Sequence, residues 1–120
     1  MSDTINLLVL EGDGISPEIT AATLNADYAV AQAQHGSAPD TAGQNVANPS
    51  SLIGSAAMPL AWLGEGGGDD DWLVKAAQGI ETALDSVIAD PATRTPDMGG
   101  TLGTDAFADK VANAVTAGVG

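Results

Sequence analysis

Apolar residues recur every three or four positions along two long stretches of the chain, and this spacing is the strongest constraint on its fold. The positions are Leu52, Ile53, Ala56, Ala57, Leu60 and Leu63 in the first stretch and Leu73, Ala77, Ile80, Leu84, Val87 and Ile88 in the second. Such spacing places side chains on one face of an α-helix. The sequence therefore predicts a helix over residues 49–63 and another that ends near Ala89, with Trp72 counted among the core residues.

Capping residues mark where further helices begin and end. Asn48 and Pro49 form an N-cap and first-turn pair for the helix that Gly64 should close. Thr104 is the predicted N-cap of a last helix over residues 105–117. We therefore expect three to four helices in all, counting a short one that follows Ser16 and Pro17.

The N-terminal third favours strands. Residues 5–10, "INLLVL", form a continuous apolar run that ends at "EGDG", which is typical of a buried parallel strand followed by a tight turn. Residues 28–34 are a weaker candidate for a second strand, because alanine and glutamine favour strands little. The chain is thus predicted to be α/β with short parallel strands, and its 120 residues suffice for one domain at most.

The charge balance excludes several classes of partner. The chain carries 16 acidic residues against 3 basic ones, a formal net charge of −13 at pH 7. Nucleic acids and anionic membrane surfaces both bind clustered lysine and arginine, so we expect neither as a partner. The same balance suits a protein from a salt-loving source, although ordinary acidity is an equal alternative. With no signal-peptide pattern, no cysteine and no apolar stretch of membrane-spanning length, we expect a cytoplasmic protein.

The stretch "QAQHGSAPDTAGQNVANP", residues 32–49, contains the only histidine and has the composition of a ligand-binding loop. Gly36 lets the backbone approach a ligand closely, and Pro39 stiffens the loop. The Asp40 carboxylate can accept hydrogen bonds from both ribose hydroxyls, while His35 and Asn48 can contact a base. Unpaired N–H groups are expected at the start of the following helix. From chemistry alone, a nucleotide loop is only modestly favoured over an inert one.

Several motifs together resemble one family. "HGSAPDTAGQNVANP" resembles the adenosine-binding loop of the isocitrate/isopropylmalate dehydrogenase family, metal- and NAD(P)-dependent oxidative decarboxylases of 2-hydroxy acids. "LLVLEGDGISPEI" is similar to the N-terminal strand, turn and helix of that family. "NPSSLIGSAAMPLAWLG" and "TRTPDMGGTLGTDAF" resemble its C-terminal helices and the loop between them. The resemblance implies a remnant of the family's large domain, in which residues 1–24 are the strand, turn and helix and residues 25–120 are the cofactor loop and C-terminal helices.

The resemblance also implies the cofactor and its residues. The positions that match the family's cofactor site are Ile15, His35, Gly36, Ser37, Ala38, Pro39, Asp40 and Asn48. In this family, an acidic residue at the position of Asp40 implies a preference for NAD over NADP, because the carboxylate bonds the ribose 2′-hydroxyl of NAD and repels the 2′-phosphate of NADP. The family also uses Mg²⁺ or Mn²⁺ and forms homodimers.

By this resemblance, the chain lacks counterparts of the family's catalytic residues. Its substrate-binding arginines, catalytic Tyr and Lys and metal-binding aspartates have no counterpart here, so we expect neither catalytic nor metal-binding residues. An internal deletion would lie at Leu24 and Asn25. The inherited function is then NAD-dependent oxidative decarboxylation of a 2-hydroxy acid such as isopropylmalate, tartrate, malate or isocitrate, with this chain inactive alone. A non-catalytic remnant that binds nucleotide weakly or packs against a partner, and a deletion product without function, are the alternatives.

Overall fold

Three α-helices make up most of the described chain, which comprises residues 30–33, 35–66 and 71–118 of a computed structural model. They are α1 (Ser50–Glu65), α2 (Asp71–Ala89) and α3 (Thr104–Gly118). Three single-turn 3-10 helices occupy the connections, at Pro39–Thr41, Pro91–Thr93 and Pro96–Met98. The helices predicted from the apolar spacing are therefore confirmed, but both predicted ends of α1 are wrong. Pro49, predicted as its first residue, is its N-cap in place of Asn48, and α1 continues past Gly64, the residue predicted to end it.

Helix α2 is the central element, because it packs against both α1 and α3. One apolar core cluster lies between α2 and α3, where Ala83 and Val87 pack with Phe107 and Val111. Further buried apolar residues lie in α1 and in the first half of α2. Phe107 is fully buried. Ile53, near the start of α1, packs against this cluster beside the end of α2, so α1 and α2 run antiparallel.

The sequence predicts Trp72 and Leu52 in the core, and both predictions are wrong. Trp72 is 59% exposed and Leu52 is 43% exposed. Each lies one residue before a position that packs inward, Leu73 and Ile53 respectively. One residue corresponds to a rotation of about 100° around a helix, which turns the side chain away from the buried face. Ala56, next to buried Ala57, is exposed for the same reason.

The predicted strands are not confirmed. The first strand (residues 5–10), the short helix after Pro17 and the junction at Leu24 and Asn25 all lie outside the described residues. Within the second predicted strand, residues 30–33 adopt no regular secondary structure. A strand is stabilised by backbone bonds to a neighbouring strand, and the described segments supply none. The described segments also contain no helix long and apolar enough to span a bilayer.

Candidate functional site

The loop between residue 35 and the start of α1 is ordered by its own backbone. Ala38 adopts a left-handed conformation, φ 36°, which directs the chain into the turn Pro39–Thr41. The Ala38 carbonyl accepts hydrogen bonds from the N–H and the hydroxyl of Thr41, both at 3.0 Å. Gly43, at φ 76°, then reverses the chain in a conformation that favours glycine. The shape of the loop is therefore set by its own turns and hydrogen bonds.

The predicted cofactor residues on this loop are contiguous and exposed. His35, Gly36, Ser37, Ala38, Pro39 and Asp40 all lie at the surface. The Asp40 carboxylate accepts no hydrogen bond from the described residues, whereas the Asp40 carbonyl accepts one from Gln44 Nε2 at 2.5 Å. Within the described part of the chain, the carboxylate is thus available to accept hydrogen bonds from a ligand such as a ribose. Ile15, the remaining predicted residue on the turn before the first helix, lies outside the described residues.

Asn45 ties the loop to the start of α3. Its side-chain Oδ1 accepts the N–H of Asp105 at 3.0 Å, and its carbonyl accepts the N–H of Thr104 at 3.0 Å. The Thr104 hydroxyl donates to the Ala47 carbonyl at 2.6 Å. The prediction that Thr104 is the N-cap is therefore wrong. Thr104 is the first helical residue, and an asparagine from a distant loop satisfies the N–H of Asp105.

Asn48 joins the loop both to α1 and to the turn that precedes α3. Its Oδ1 accepts the N–H of Ser50 at 2.9 Å and also accepts the Ser50 hydroxyl. Its Nδ2 donates to Asp97 Oδ2 at 2.9 Å. The Ser50 N–H, expected to be free for a ligand, is consequently occupied. Within the described residues, one N–H of Asn48 Nδ2 makes no hydrogen bond and remains for a contact with a base.

The Asp97 carboxylate is held by several hydrogen-bond donors. The hydroxyl of Thr95, a fully buried residue, donates to Asp97 Oδ1 at 2.5 Å. This bond is the main cause that holds the pKa of Asp97 below its ordinary value of 3.8, and the bonds from Asn48 and from the backbone N–H groups of Asp97 and Met98 act in the same direction. Desolvation opposes them only partly. The charged form of Asp97 is thus the form that accepts the hydrogen bond from Asn48 and so holds the loop against this turn.

A carboxyl group whose pKa is lowered on folding stabilises the fold at a pH above its unfolded pKa, and that stabilisation is lost as the pH falls through the folded value. We therefore expect wild type to exceed Asp97→Asn in free energy of unfolding at neutral pH, and the gap to close as the pH falls below the unfolded pKa and through the lowered pKa of the folded state. Urea unfolding followed by circular dichroism measures it. Asp109→Asn, at an exposed position, controls for the loss of one negative charge. A gap that is constant with pH would contradict the assignment.

The basic side chains of the chain lie on or beside the helices, and one of them has a structural role. Arg94 Nε donates to the Ile88 carbonyl at 2.6 Å, and its guanidinium donates to the Ala89 carbonyl at 3.1 Å. The guanidinium therefore caps the C-terminal end of α2. Lys75 and Lys110 are exposed on α2 and α3. Among the described residues, no group of three or more His, Asp or Glu side chains could hold a metal ion.

Sequence reasoning missed Asn45 and Asp97, the two residues that hold the loop in place. Asn45 follows Gly43 and adopts φ 57°, a left-handed conformation that asparagine tolerates better than most residues. Its position therefore gave a weak local signal for a turn. Asp97 lies second in a 3-10 turn behind Pro96, which is an ordinary turn position. The partner of each is about 50 to 60 residues away in sequence, so local patterns carry no signal for either contact.

Comparisons with known proteins identify one family. A profile described as isocitrate/isopropylmalate dehydrogenase matches residues 19–111. The chain is 40% identical over 104 residues to the isocitrate/homoisocitrate dehydrogenase of Thermus thermophilus, with 87% of this chain and 28% of that protein covered. It is 39% identical to the 3-isopropylmalate/3-methylmalate dehydrogenase of Methanocaldococcus jannaschii, with 87% and 28% covered. It is 38% identical to isocitrate dehydrogenase [NAD] subunit 2 of Kluyveromyces lactis, with 82% and 24% covered.

The aligned region covers most of this chain but only part of each relative. The chain spans 28% of the length of the first relatives it matches. No solved structure matches it significantly. The family profile covers more than half of the chain, and it includes the loop, the three helices up to Val111 and the turn that holds Asp97. The chain accordingly belongs to the isocitrate/isopropylmalate dehydrogenase family, whose fold is α/β.

Proposed function

We propose that this chain is the adenosine-binding part of an NAD-dependent oxidative decarboxylase of 2-hydroxy acids, and that it is catalytically inactive alone. The proposal treats residues 1–120 as one partial domain of the family's large domain, with the cofactor residues on the loop at His35–Asp40 and at Asn48, and with Ile15 on the N-terminal turn. The substrate class is isopropylmalate, tartrate, malate or isocitrate. The supporting observation is that the loop is anchored at Asn45 and Asn48 while His35 and Asp40 stay exposed.

The anchored loop suits the adenosine half of NAD. The Asp40 carboxylate is exposed and makes no bond within the described residues, so it can accept from ribose hydroxyls. His35 lies near the start of the same loop, and its ring can stack on a base. When bound, NAD would supply the hydride-accepting nicotinamide. The residues on this loop would bind and orient its adenosine portion only.

Catalysis by this chain alone is disfavoured on electrostatic grounds. Decarboxylation of a malate-like acid requires cations that hold its carboxylates and a metal that polarises its hydroxyl group. The chain has three Lys and Arg residues in total, and Arg94 already donates to two carbonyls at the end of α2. The Mg²⁺ or Mn²⁺ used by the family finds no ligand cluster among the described residues.

The direct test is an assay of NAD reduction by the purified chain. We expect no turnover with isopropylmalate, malate, tartrate or isocitrate, with either Mg²⁺ or Mn²⁺ present. The assay follows the absorbance of reduced nicotinamide, and circular dichroism confirms that the chain is folded. Turnover above an enzyme-free blank that disappears in His35→Ala would show that the chain carries its own catalytic groups.

The choice of cofactor is expected to depend on Asp40. A carboxylate that bonds a ribose 2′-hydroxyl repels a 2′-phosphate, so wild type should bind NAD about tenfold or more tightly than NADP. Asp40→Lys should narrow or reverse this ratio, because the ammonium group pairs with the phosphate. Dissociation constants come from NMR titrations with both cofactors.

Asp85→Lys is the matched control for Asp40→Lys, since it makes the same charge change on an exposed face of α2. The ratio of the two dissociation constants should remain at its wild-type value in this variant. A wild-type preference for NADP, or an equal change of the ratio in both variants, would refute the local role of Asp40.

The alternative is a non-catalytic remnant whose loop keeps the family's shape and packs against a partner without binding nucleotide. The exposure of Val46 on the loop and of Met58 on α1, 37% and 43%, is compatible with such packing. The titrations separate the two functions, because only the nucleotide-binding one predicts chemical-shift changes on the loop with NAD. A deletion product without function would show neither binding nor a partner.

A further inference from the structure

The orientation of the Asn48 carboxamide is fixed by contacts of opposite polarity. Its oxygen accepts from the N–H and hydroxyl of Ser50, and its nitrogen donates to a carboxylate oxygen of Asp97, 2.9 Å away. Rotation of the amide by half a turn would place its oxygen against the carboxylate and its NH₂ group against the Ser50 N–H. Both contacts would then be repulsive, so only one orientation is compatible with both neighbours.

Asp97 is itself firmly placed. It lies in the 3-10 turn Pro96–Met98, and the buried Thr95 hydroxyl donates to its other carboxylate oxygen. The turn is closed by backbone bonds from Met98 N–H and Gly100 N–H to the Thr95 carbonyl, both at 3.0 Å. The carboxylate therefore reaches Asn48 from a rigid support.

We propose that Asp97 is a positioning residue, which fixes the Asn48 carboxamide so that its one remaining N–H serves as a hydrogen-bond donor to a bound nucleotide. The proposal rests on the nucleotide-binding function proposed above. It also defines the ligand atom, because both lone-pair positions of Asn48 Oδ1 are taken. Asn48 then recognises an acceptor, such as an unprotonated ring nitrogen of a purine, and not an exocyclic amino group.

A double-mutant cycle with ADP-ribose as the probe tests the proposal on the full chain. The variants are Asp97→Ala, Asn48→Ala and the double variant, and their dissociation constants come from NMR titrations. Asp97→Ala should weaken binding about three- to tenfold, the effect of losing one oriented hydrogen bond. In the Asn48→Ala background it should have no further effect, because Asp97 acts through Asn48. Asp97→Asn keeps an acceptor oxygen for Asn48 and should bind within about twofold of wild type.

The outcomes separate this proposal from the function on which it rests. If wild type binds ADP-ribose but Asp97→Ala weakens binding equally in both backgrounds, the positioning role is wrong and the nucleotide-binding function stands. If wild type shows no chemical-shift change with ADP-ribose, both are wrong. Should Asp97→Ala fail to fold, ¹⁵N relaxation of the Asn48 side-chain NH₂ group in wild type tests whether the carboxamide is fixed. An order parameter of the Asn48 side-chain NH₂ group close to that of the rigid backbone supports a fixed amide, whereas a value typical of a flexible side chain overturns it.

Discussion

Phe107→Ala is expected to lower the free energy of unfolding by about 3–5 kcal/mol, because it removes the ring at the centre of the core. Phe107 is fully buried, and it packs with Val111 of α3 against Ala83 and Val87 of α2. The surrounding side chains belong to packed helices, so they can fill the space that the ring leaves only in part. A domain of this size has a total stability of about 6–18 kcal/mol, of which the loss is a large part. Urea unfolding followed by circular dichroism measures it.

Trp72→Ala is the matched control, because it truncates an aromatic side chain that is 59% exposed. Its effect should be less than half that of Phe107→Ala, since most of the indole already contacts water. Equal effects of the two substitutions would show that the core does not lie between α2 and α3.

Gly100→Ala is expected to destabilise the chain by about 3 kcal/mol, because a Cβ at this position would collide with backbone. The added carbon would overlap the carbonyl group of Arg94 and lie 2.6 Å from the Arg94 Cβ. The Arg94 backbone cannot retreat easily, since its carbonyl accepts the N–H of Leu102 at 2.9 Å and the next residue, Thr95, is fully buried. The same turn carries Asp97, so hydrogen exchange of the loop amides should also accelerate.

Gly79→Ala is the control for this substitution. Gly79 lies inside α2, and a Cβ there would meet nothing within 4 Å. Alanine should therefore stabilise the helix by about 0.5–1 kcal/mol, because it loses less backbone entropy on folding than glycine. Similar losses of stability in both variants would mean that the close approach of Gly100 to Arg94 is incorrect.

Local spacing is sufficient to predict the helices but not every buried position. The recurrence of Leu73, Ala77, Leu84 and Val87 predicts α2, and these residues do face its neighbours. The residue type of Trp72 favours the core, although its position is one residue off that recurrence. At Trp72 the residue type predicts burial, whereas the position in the helical repeat predicts exposure. The prediction from position is right, because the position determines the direction in which the side chain points.

The proposed cofactor residues of the loop come from its sequence, whereas its anchoring could not be predicted from the sequence. A resemblance at residues 35–49 identifies the family, and the comparisons confirm it. The bonds from Asn45 to the start of α3 and from Asn48 to Asp97 join segments that become neighbours only after α1, α2 and α3 have packed. Such contacts depend on tertiary structure, so no local pattern predicts them.

The central claim is that the loop at residues 35–48 still binds the adenosine half of NAD, and NMR mapping with ADP-ribose tests it most directly. The titration belongs in about 1 M KCl, because at that salt concentration the repulsion between the acidic chain and the pyrophosphate is screened beyond about 3 Å. We expect amide shifts concentrated on residues 35–48 and similar affinities for ADP-ribose and NAD. Shifts centred elsewhere, or none at saturating ligand, would contradict it.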